Sequence, residues 1–165
     1  MATLAMLSLP GREVVLRRAV ADDVPAVVAL LAADQLGAGR DGIRSEDDHR
    51  AYLAAFGLVD ADPAQLLVVA TEGEDVVATL QLTFLPGLAR RGALRAQLEA
   101  VRVRSDHRGT GLGSALVEWA VEEAGRRGCA LVQLTSDKTR GGAHQFYERL
   151  GFVASHEGLK LTLPR

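Results

Sequence analysis

The sequence predicts one domain of the α/β class, in its α+β form. It predicts a mixed, mostly antiparallel sheet of about six to seven strands flanked by about four helices. Three observations support this. Short apolar runs typical of strands recur along the chain, and two of them are separated by only a turn, which predicts a hairpin. Segments whose apolar residues recur at helical spacing lie between these runs. The length of 165 residues fits a single domain.

The first half of the chain contains one predicted strand followed by two predicted helices. Val14–Leu16 is a short apolar run that predicts the strand. The segment 22–25 (Asp-Asp-Val-Pro) opens the first helix, because acids suit the positive end of a helix and proline suits its first turn. Ser45 followed by Asp48 resembles a capping box, with Asp in place of the usual Glu, and predicts the start of the second helix.

The remaining predicted elements alternate between strands and helices. The strongest helical pattern runs from Leu112 to Arg127, and Gly128 is expected to end it. After the second helix the predicted elements are strands over 66–70, 76–84 and 94–104, a helix over 112–127, a strand over 130–134, a helix over 142–150, and strands over 152–154 and 159–163.

Residues 1–12 are expected to form a loose N-terminal extension, with a single domain over 13–165. The opening segment 1–9 is apolar but lacks the basic stretch that begins a signal peptide. No apolar run approaches the ~20 residues needed to span a bilayer. The default expectation is a cytoplasmic protein without a membrane partner.

Composition excludes several classes of protein. Apolar residues make up 48% and charged residues 24%, which excludes a disordered or low-complexity chain. The net charge of −2 argues against a nucleic-acid partner, which would require a basic excess. Cys129 is the single cysteine, so an internal disulfide framework is excluded, and a structural thiol is favoured there. The four histidines show no metal-ligand spacing, and no metal is predicted.

A glycine-rich turn, Arg108–Ser114, follows a predicted strand and opens the strongest predicted helix. The first turn of a helix leaves N–H groups without partners, and its dipole favours negative charge. Three glycines in five positions would let an anion such as a diphosphate reach these N–H groups. A tight turn whose glycines serve only packing is the alternative. The dinucleotide fingerprint fails because Ser114 occupies its third glycine position, and no P-loop motif is present.

Two motifs together resemble the Gcn5-related N-acetyltransferase (GNAT) family. The first is Arg108-x-x-Gly111-x-Gly113 after Val101-x-Val103, which resembles the acetyl-CoA signature of that family. The second is the segment 143–152 (AHQFYERLGF), which resembles its A-x-x-F-Y-x-x-x-G-F pattern. Within the family, the segment 134–147 looks closest to acetyltransferases of small amines, including aminoalkylphosphonate acetyltransferases. This implies acetyl transfer from acetyl-CoA to the primary amine of a small molecule by direct attack in a ternary complex.

The resemblance also implies roles for individual residues. Glu99 would act as the base that deprotonates the amine, and Tyr147 as the acid that protonates the leaving thiolate. Arg140 stands where the family often has an Asn that contacts the coenzyme arm. The full set implied to bind acetyl-CoA is Val101, Arg102, Val103, Arg108, Gly109, Thr110, Gly111, Leu112, Gly113, Ser114 and Arg140.

Several alternatives stay open at this point. An acyl-CoA-binding regulatory module without catalysis would keep the glycine turn but need neither Glu99 nor Tyr147. An enzyme that uses NAD or ATP is a third hypothesis. Arg104 and His107 could bind the coenzyme 3′-phosphate or belong to a solvated loop. Likewise, a second basic group could attract an anionic substrate or belong to a solvated loop; it consists of Arg90, Arg91 and Arg95. The loops 37–48 and 85–94 are expected to set acceptor specificity. The family resemblance suggests a homodimer.

Overall fold

The computed structural model describes residues 3–34 and 37–163. Six strands form one sheet in the order β1-β2-β3-β4-β5-β6. Neighbouring strands pair antiparallel except β5 and β6, which are parallel. The strands are β1 Thr3–Leu9, β2 Arg12–Arg18, β3 Gln65–Glu72, β4 Asp75–Leu85, β5 Arg95–Val103 and β6 Leu131–Leu134. The mixed, mostly antiparallel sheet predicted from the sequence is confirmed.

Helices lie before, between and after the strands in the described residues. They are α1 Val24–Ala32, α2 Glu46–Ala61, α3 Ala89–Gly92, α4 Leu112–Arg126 and α5 Gly141–Arg149. The short α3 is irregular, because Arg90 and Arg91 have positive φ angles. As predicted, Ser45 caps α2: its hydroxyl accepts a hydrogen bond from the Asp48 N–H at 3.1 Å. No helix in the described ranges has the length and apolar character needed to cross a membrane.

The two faces of the sheet are covered by different helices. On one face, α4 buries an apolar stripe against side chains of β2 to β5 such as Leu66, Leu82 and Leu98. On the other face, α1 and α2 cover a smaller cluster around Val69. Fully burying a Leu or Val side chain stabilises the fold by about 1.5–3 kcal/mol. The larger core therefore fixes α4 and β5 relative to each other.

The N-terminal segment is a strand, so the loose extension expected over residues 1–12 is wrong for Thr3–Leu9. These residues pair with β2, and Leu9 stands opposite Arg12 across a tight turn at Pro10 and Gly11. Gly11 has φ +72°, which suits the third position of a type II turn after proline. The Pro-Gly pair between two apolar runs was the available signal for this hairpin.

The strands predicted over 152–154 and 159–163 are also wrong, because the structure shows no strand there among the described residues. The alternation of apolar and polar residues over 159–163 is real. Leu159 is nevertheless 94% exposed, and Leu161 and Leu163 are exposed as well. A strand requires a hydrogen-bonding neighbour, and this segment pairs with no described strand.

A bulge interrupts β5 near its C-terminal end. Arg102 stands opposite Thr79 and Glu99 opposite Gln81, so two residues of β5, Ala100 and Val101, face the single residue Leu80. Ala100 has φ +54°, the left-handed conformation that non-glycine residues rarely adopt. The extra residue shifts the alternation of side chains for the rest of the strand.

A buried ion pair joins β2 to the start of α1. The Arg17 guanidinium donates two hydrogen bonds to the Asp23 carboxylate, at 2.6 and 2.8 Å, and the Val20 N–H donates a third at 2.8 Å. Burial alone would raise the pKa of Asp23, but the bonds from Arg17 and Val20 outweigh it and lower the pKa. The charged carboxylate is therefore the form that the fold stabilises.

Replacing Asp23 by Ala should lower the free energy of unfolding by about 3 kcal/mol, since it leaves a buried guanidinium unpaired. Urea denaturation at pH 7 measures this. Because folding lowers the pKa of Asp23, its contribution is complete above the unfolded value of about 3.9 and is lost as pH falls below it. The control is Asp47→Ala, which removes an exposed pair with Arg50 and should cost less than about 1 kcal/mol. Equal losses in the two variants would contradict this account.

The bulge predicts a specific order of stability at position 100. Ala100→Gly should stay near the wild type, because relief of left-handed strain of about 1–2 kcal/mol is offset by the greater chain entropy of glycine. Ala100→Val should lose about 2 kcal/mol, since a β-branched side chain fits this conformation poorly. Thermal denaturation of both variants checks the order. A valine variant as stable as the wild type would argue against the bulge.

Candidate active site

The parallel strands β5 and β6 diverge half-way along β5. Arg95–Leu98 pair with Leu131–Leu134, and beyond Leu98 the pairing ends within the described residues. The second half of β5 continues alone on that side and stays paired with β4 on the other. The sheet therefore opens into a cleft whose one wall is the main chain after Leu98.

The main chain of Val101 and Val103 faces this cleft. The Arg104 N–H donates to the Val77 carbonyl of β4 at 2.8 Å. Because hydrogen-bonding residues alternate along an antiparallel strand, Arg102 also bonds towards β4, while Val101 and Val103 direct their N–H and C=O groups the other way. A ligand with amide groups could add itself to this edge as a strand does.

Two arginine side chains donate hydrogen bonds to main-chain carbonyl groups on this edge. The Arg102 guanidinium donates to the Val101 carbonyl at 2.8 Å, and Arg108 donates to the Val103 carbonyl at 3.2 Å. Both carbonyls therefore accept hydrogen bonds from groups outside β4.

The bulge at Ala100 decides which side chains face which side of the sheet. Ala96 and Leu98 before it, and Val101 and Val103 after it, all pack towards the core under α4. Glu99 and Arg102 face the opposite side, where α1 lies, since their partners Gln81 and Thr79 are on that face. Without the extra residue, Arg102 would point into the core.

The glycine-rich turn leads from β5 into α4 as the sequence predicts. Gly109 has φ +76° and Gly111 has φ +90°, conformations that favour glycine. Gly111 is the N-terminal cap of α4. Within residues 3–34 and 37–163, no side chain caps the N–H groups that follow it, on Leu112, Gly113 and Ser114. A Cβ on Gly113 would lie 3.6 Å from both Phe146 and Val103. Gly113 therefore serves close packing, and the other two glycines shape the turn.

The Thr110 hydroxyl donates its hydrogen bond within the turn and not to the surroundings. Its hydroxyl donates to the His107 carbonyl at 2.7 Å, so only its lone pairs remain available in this conformation. The side chain of Ser114 has no hydrogen bond among the described residues. Of the two hydroxyl groups predicted to serve an anion, Ser114 is thus the one with its donor available.

Arg104 and His107 anchor the turn. His107 is 3% exposed, and its two ring nitrogens lie 2.9 Å from carboxylate oxygens of Asp106 and Glu72. Arg104 donates to Asp106 at 2.8 Å. Bonds from Arg104 and His107 lower the pKa of Asp106. These side chains join the turn to the β3–β4 hairpin, which is a structural use distinct from a contact with a 3′-phosphate.

A cavity of about 360 Å³ lies beside the second half of β5. Its charged lining consists of Asp34 from the end of α1, Arg102, Arg108 and Arg140. The carboxylate of Asp34 lies 3.2 Å from the Arg102 guanidinium and 3.3 Å from that of Arg140. Burial is the main cause that lowers the pKa of Arg102, and Asp34 opposes it. Arg140 thus meets an acidic side chain in the position where the resemblance implies a contact with the coenzyme arm.

Tyr147 lies on α5 between two other rings. Its ring contacts those of Phe146 and Phe152 edge to face, with centroids 5.0 and 5.7 Å away. Burial raises the pKa of the Tyr147 phenol, while the positive charges of Arg140 and Arg102 oppose that rise. The phenol therefore keeps its proton at neutral pH and can donate it.

Glu99 is exposed on the α1 face and does not line the cavity. It stands opposite Gln81 on β4, in a polar row on the same face of the sheet. Next to it, the Gln133 amide of β6 donates to Gln97 at 2.8 Å. The carboxylate is open to water and lies two residues before Val101, on the face that carries Arg102.

The other candidates lie away from the cleft or in structural positions. Arg95 begins β5, roughly 20 Å along the strand from Val101, and neither it nor Arg90 nor Arg91 lines the cavity. Burial raises the pKa of the Cys129 thiol, which suits a structural role. No group of three or more metal-ligating side chains occurs in residues 3–34 and 37–163.

Sequence reasoning missed Asp34 and the side-chain role of Arg102. Asp34 follows the last turn of α1 and belongs to no motif. Arg102 lies between two motif valines, and simple alternation on an uninterrupted strand assigns it to the wrong face. The bulge depends on the positive φ of Ala100, and an alanine in the sequence does not indicate that conformation.

Comparison with known proteins places this geometry in a family. The sequence model of the acetyltransferase (GNAT) family matches residues 28–152. The chain is 29% identical over 141 residues to the aminoalkylphosphonate N-acetyltransferase of Salmonella typhimurium, covering 86% of this chain and 86% of that protein.

Several solved structures share this fold. A structure described as a transcriptional regulator from Bacillus halodurans is 46% identical, with TM-score 0.86, and the match covers 91% of this chain and 99% of that one. A Trypanosoma brucei acetyltransferase is 26% identical, with TM-score 0.74 and coverage of 91% and 99%. A Clostridium acetobutylicum structure described as a predicted acetyltransferase with acetyl-CoA, at 20% identity and TM-score 0.69 over 90% and 96%, shares the fold. The chain therefore belongs to the acetyltransferase (GNAT) family and is an acyltransferase of that family, which uses acetyl-CoA.

Proposed function

We propose that the protein transfers the acetyl group of acetyl-CoA to the primary amine of a small molecule, by direct attack in a ternary complex. The observation that carries this proposal is the cleft between β5 and β6, with the main chain of Val101 and Val103 directed into it. The pantetheine arm of the coenzyme contains two amides and can pair with this edge as an added strand. Its amides would take over the carbonyls that Arg102 and Arg108 now occupy.

The coenzyme diphosphate would lie on the N-terminus of α4. The uncapped N–H groups of Leu112, Gly113 and Ser114 and the positive helix end suit an anion there. Gly109 and Gly111 leave the path of the diphosphate to these N–H groups free of side chains, and Thr110 and Arg108 lie on either side of it. Once the Arg108 guanidinium is released from the Val103 carbonyl, it supplies a positive charge.

The reaction requires one bond to form and one to break. The deprotonated amine nitrogen attacks the thioester carbon to form the N–C bond, and the C–S bond then breaks to release the CoA thiolate. The nitrogen loses its second proton to solvent as the intermediate collapses. Glu99 would take a proton from the ammonium form of the acceptor through water, since its carboxylate is exposed beside the cleft. Tyr147 would give its phenolic proton to the thiolate and recover one from solvent. Burial raises the pKa of this phenol, so it carries its proton before the step.

Two of the similar proteins bear on the acceptor and on the alternative function. The Salmonella relative is named for aminoalkylphosphonates, so phosphonate-bearing amines belong at the head of the acceptor panel. The Bacillus halodurans structure is described as a transcriptional regulator, which makes a non-catalytic acyl-CoA-binding module the second candidate. The homodimer suggested by the family resemblance stays a prediction.

Ser114→Asp should weaken coenzyme binding without harming the fold. An acid in the first turn of α4 stabilises the helix by about 0.3–1 kcal/mol, yet it places a negative charge against the diphosphate. We expect the Kd for CoA to rise at least about tenfold by calorimetry, with an unchanged or higher Tm. Ser114→Asn is the neutral control of similar size and should bind CoA nearly as the wild type does. Equal affinity in the two variants would place the diphosphate elsewhere.

Tyr147→Phe and Glu99→Gln distinguish an enzyme from a binding module. Acetyl-CoA-dependent thiol release is measured with a panel of amines, including amino sugars, polyamines, amino acids and aminophosphonates. Both substitutions should lower kcat by about 10²-fold or more and change the KM for acetyl-CoA much less. Any loss of activity from ionisation of the Tyr147 phenol should appear only above the ordinary pKa of tyrosine, about 10, because burial raises the pKa of this group. CoA binding without turnover of any amine would favour the non-catalytic module.

A further inference from the structure

The cavity beside β5 contains an incompletely neutralised pair of arginines. Arg102 and Arg140 both approach one carboxylate, that of Asp34. Two guanidinium groups and one carboxylate leave one positive charge in a space of about 360 Å³, before Arg108 is counted. The net charge of the whole chain is −2, so this excess is local.

Arg102 is the more buried of the two arginines. Its side chain is 17% exposed, against 35% for Arg140, and the Asp34 side chain is 14% exposed. The Nε of Arg102 is buried and has no hydrogen-bond partner among the described residues. A buried guanidinium N–H without an acceptor is costly, because burial removes the water that would otherwise accept its hydrogen bond. An incoming anion would supply that acceptor.

The bulge places this guanidinium on the same face of the sheet as Glu99. The two side chains come from positions on either side of the bulge and point towards α1. On the other side of the cluster, the charges of Arg102 and Arg140 act on the phenol of Tyr147. Arg102 therefore shares the sheet face of the proposed base, and its guanidinium and that of Arg140 line the same cavity as Val101 and Val103.

We propose that Arg102, assisted by Arg140, binds an acidic group of the acceptor, so that the substrates are short amines bearing a carboxylate or a phosphonate near the nitrogen. Asp34 is the internal counter-ion that holds the two guanidinium groups in place until the acceptor arrives. This inference rests on the proposed acetyl transfer and adds the residues that select the acceptor. A guanidinium suits either acid, because its fork of N–H donors matches a planar carboxylate and two oxygens of a phosphonate.

The coenzyme is the competing use for Arg102. The main chain of Arg102 is directed to β4. The Arg102 side chain lies on the face of the sheet opposite the packed side chains of Val101 and Val103. Once the Val101 carbonyl pairs with a coenzyme amide, the guanidinium loses that acceptor and has only Asp34 left. Arg108, which faces the turn, is the better placed group for the diphosphate.

The test compares three amines of similar length: 2-aminoethylphosphonate, β-alanine and neutral ethanolamine. The wild type should acetylate one or both acidic amines with a higher kcat/KM than ethanolamine. Arg102→Gln should lower the kcat/KM for the acidic amines about 10- to 100-fold more than it lowers that for ethanolamine, mainly through a higher KM for the acidic amines. Arg102→Lys should recover part of the loss, since it restores charge without the fork. Arg91→Gln, an exposed arginine at the other end of β5, is the matched control.

Several outcomes would overturn the inference. A wild type that prefers ethanolamine, or an Arg102→Gln variant that keeps the wild-type preference between acidic and neutral amines, contradicts it. A loss of activity on all three amines in the Arg102→Gln variant, with unchanged Tm and CoA affinity, assigns the residue to the reaction instead of to acid recognition. The two acidic amines separate phosphonate from carboxylate recognition.

Calorimetry separates this inference from the proposed function. Each amine is titrated into CoA-loaded wild type and Arg102→Gln. Binding of an acidic amine that the variant lacks supports the acidic subsite even where no acetyl transfer occurs, and in that case only the proposed function fails. Equal binding by the two proteins, or no binding of an acidic amine to the wild type, overturns the inference. The proposed acetyl transfer is then still tested separately, by the thiol-release assay.

Discussion

The separation of β5 from β6 after Leu98 is the constraint on which the rest of the site depends. A continuous parallel ladder would leave no main-chain edge for a ligand to pair with. The bulge at Ala100 then determines what faces the opening, by returning Val101 and Val103 to the core and turning Arg102 to the opposite face. The core under α4 keeps this edge and the helix N-terminus in a fixed relation, because both belong to the same packed cluster.

The glycine turn serves close packing in the structure and is also the segment proposed to bind the coenzyme diphosphate. Gly113 admits Phe146 and Val103 within van der Waals distance, so α4, α5 and β5 meet at one point. Gly109 and Gly111 supply the backbone conformation that brings β5 into the helix. The packing alternative considered for the turn and the anion site are thus compatible, since they use different glycines. His107 and its two carboxylate neighbours tie the same turn to the β3–β4 hairpin.

The sequence predicts well the elements whose signals are local. The cap at Ser45, the pattern of α4 and the glycine turn all depend on residues close in the chain, and the structure has them where expected. Pairing partners are a non-local property, which explains both errors at the chain ends. Thr3–Leu9 forms a strand because β2 offers it an edge, whereas 159–163 has a strand-like pattern and no described partner. The contact of Asp34 with Arg102 and Arg140 joins segments far apart in the chain, and no local pattern announces it.

A crystal structure of the protein with CoA bound tests the central claim most directly. The account predicts that the amides of the pantetheine arm pair with the main chain of Val101 and Val103, with the diphosphate on the first turn of α4. In that complex the Arg102 guanidinium has left the Val101 carbonyl and remains beside Asp34. A coenzyme bound outside the β5–β6 cleft, or a cleft in which both arginines keep their present carbonyl contacts with CoA bound, would contradict it.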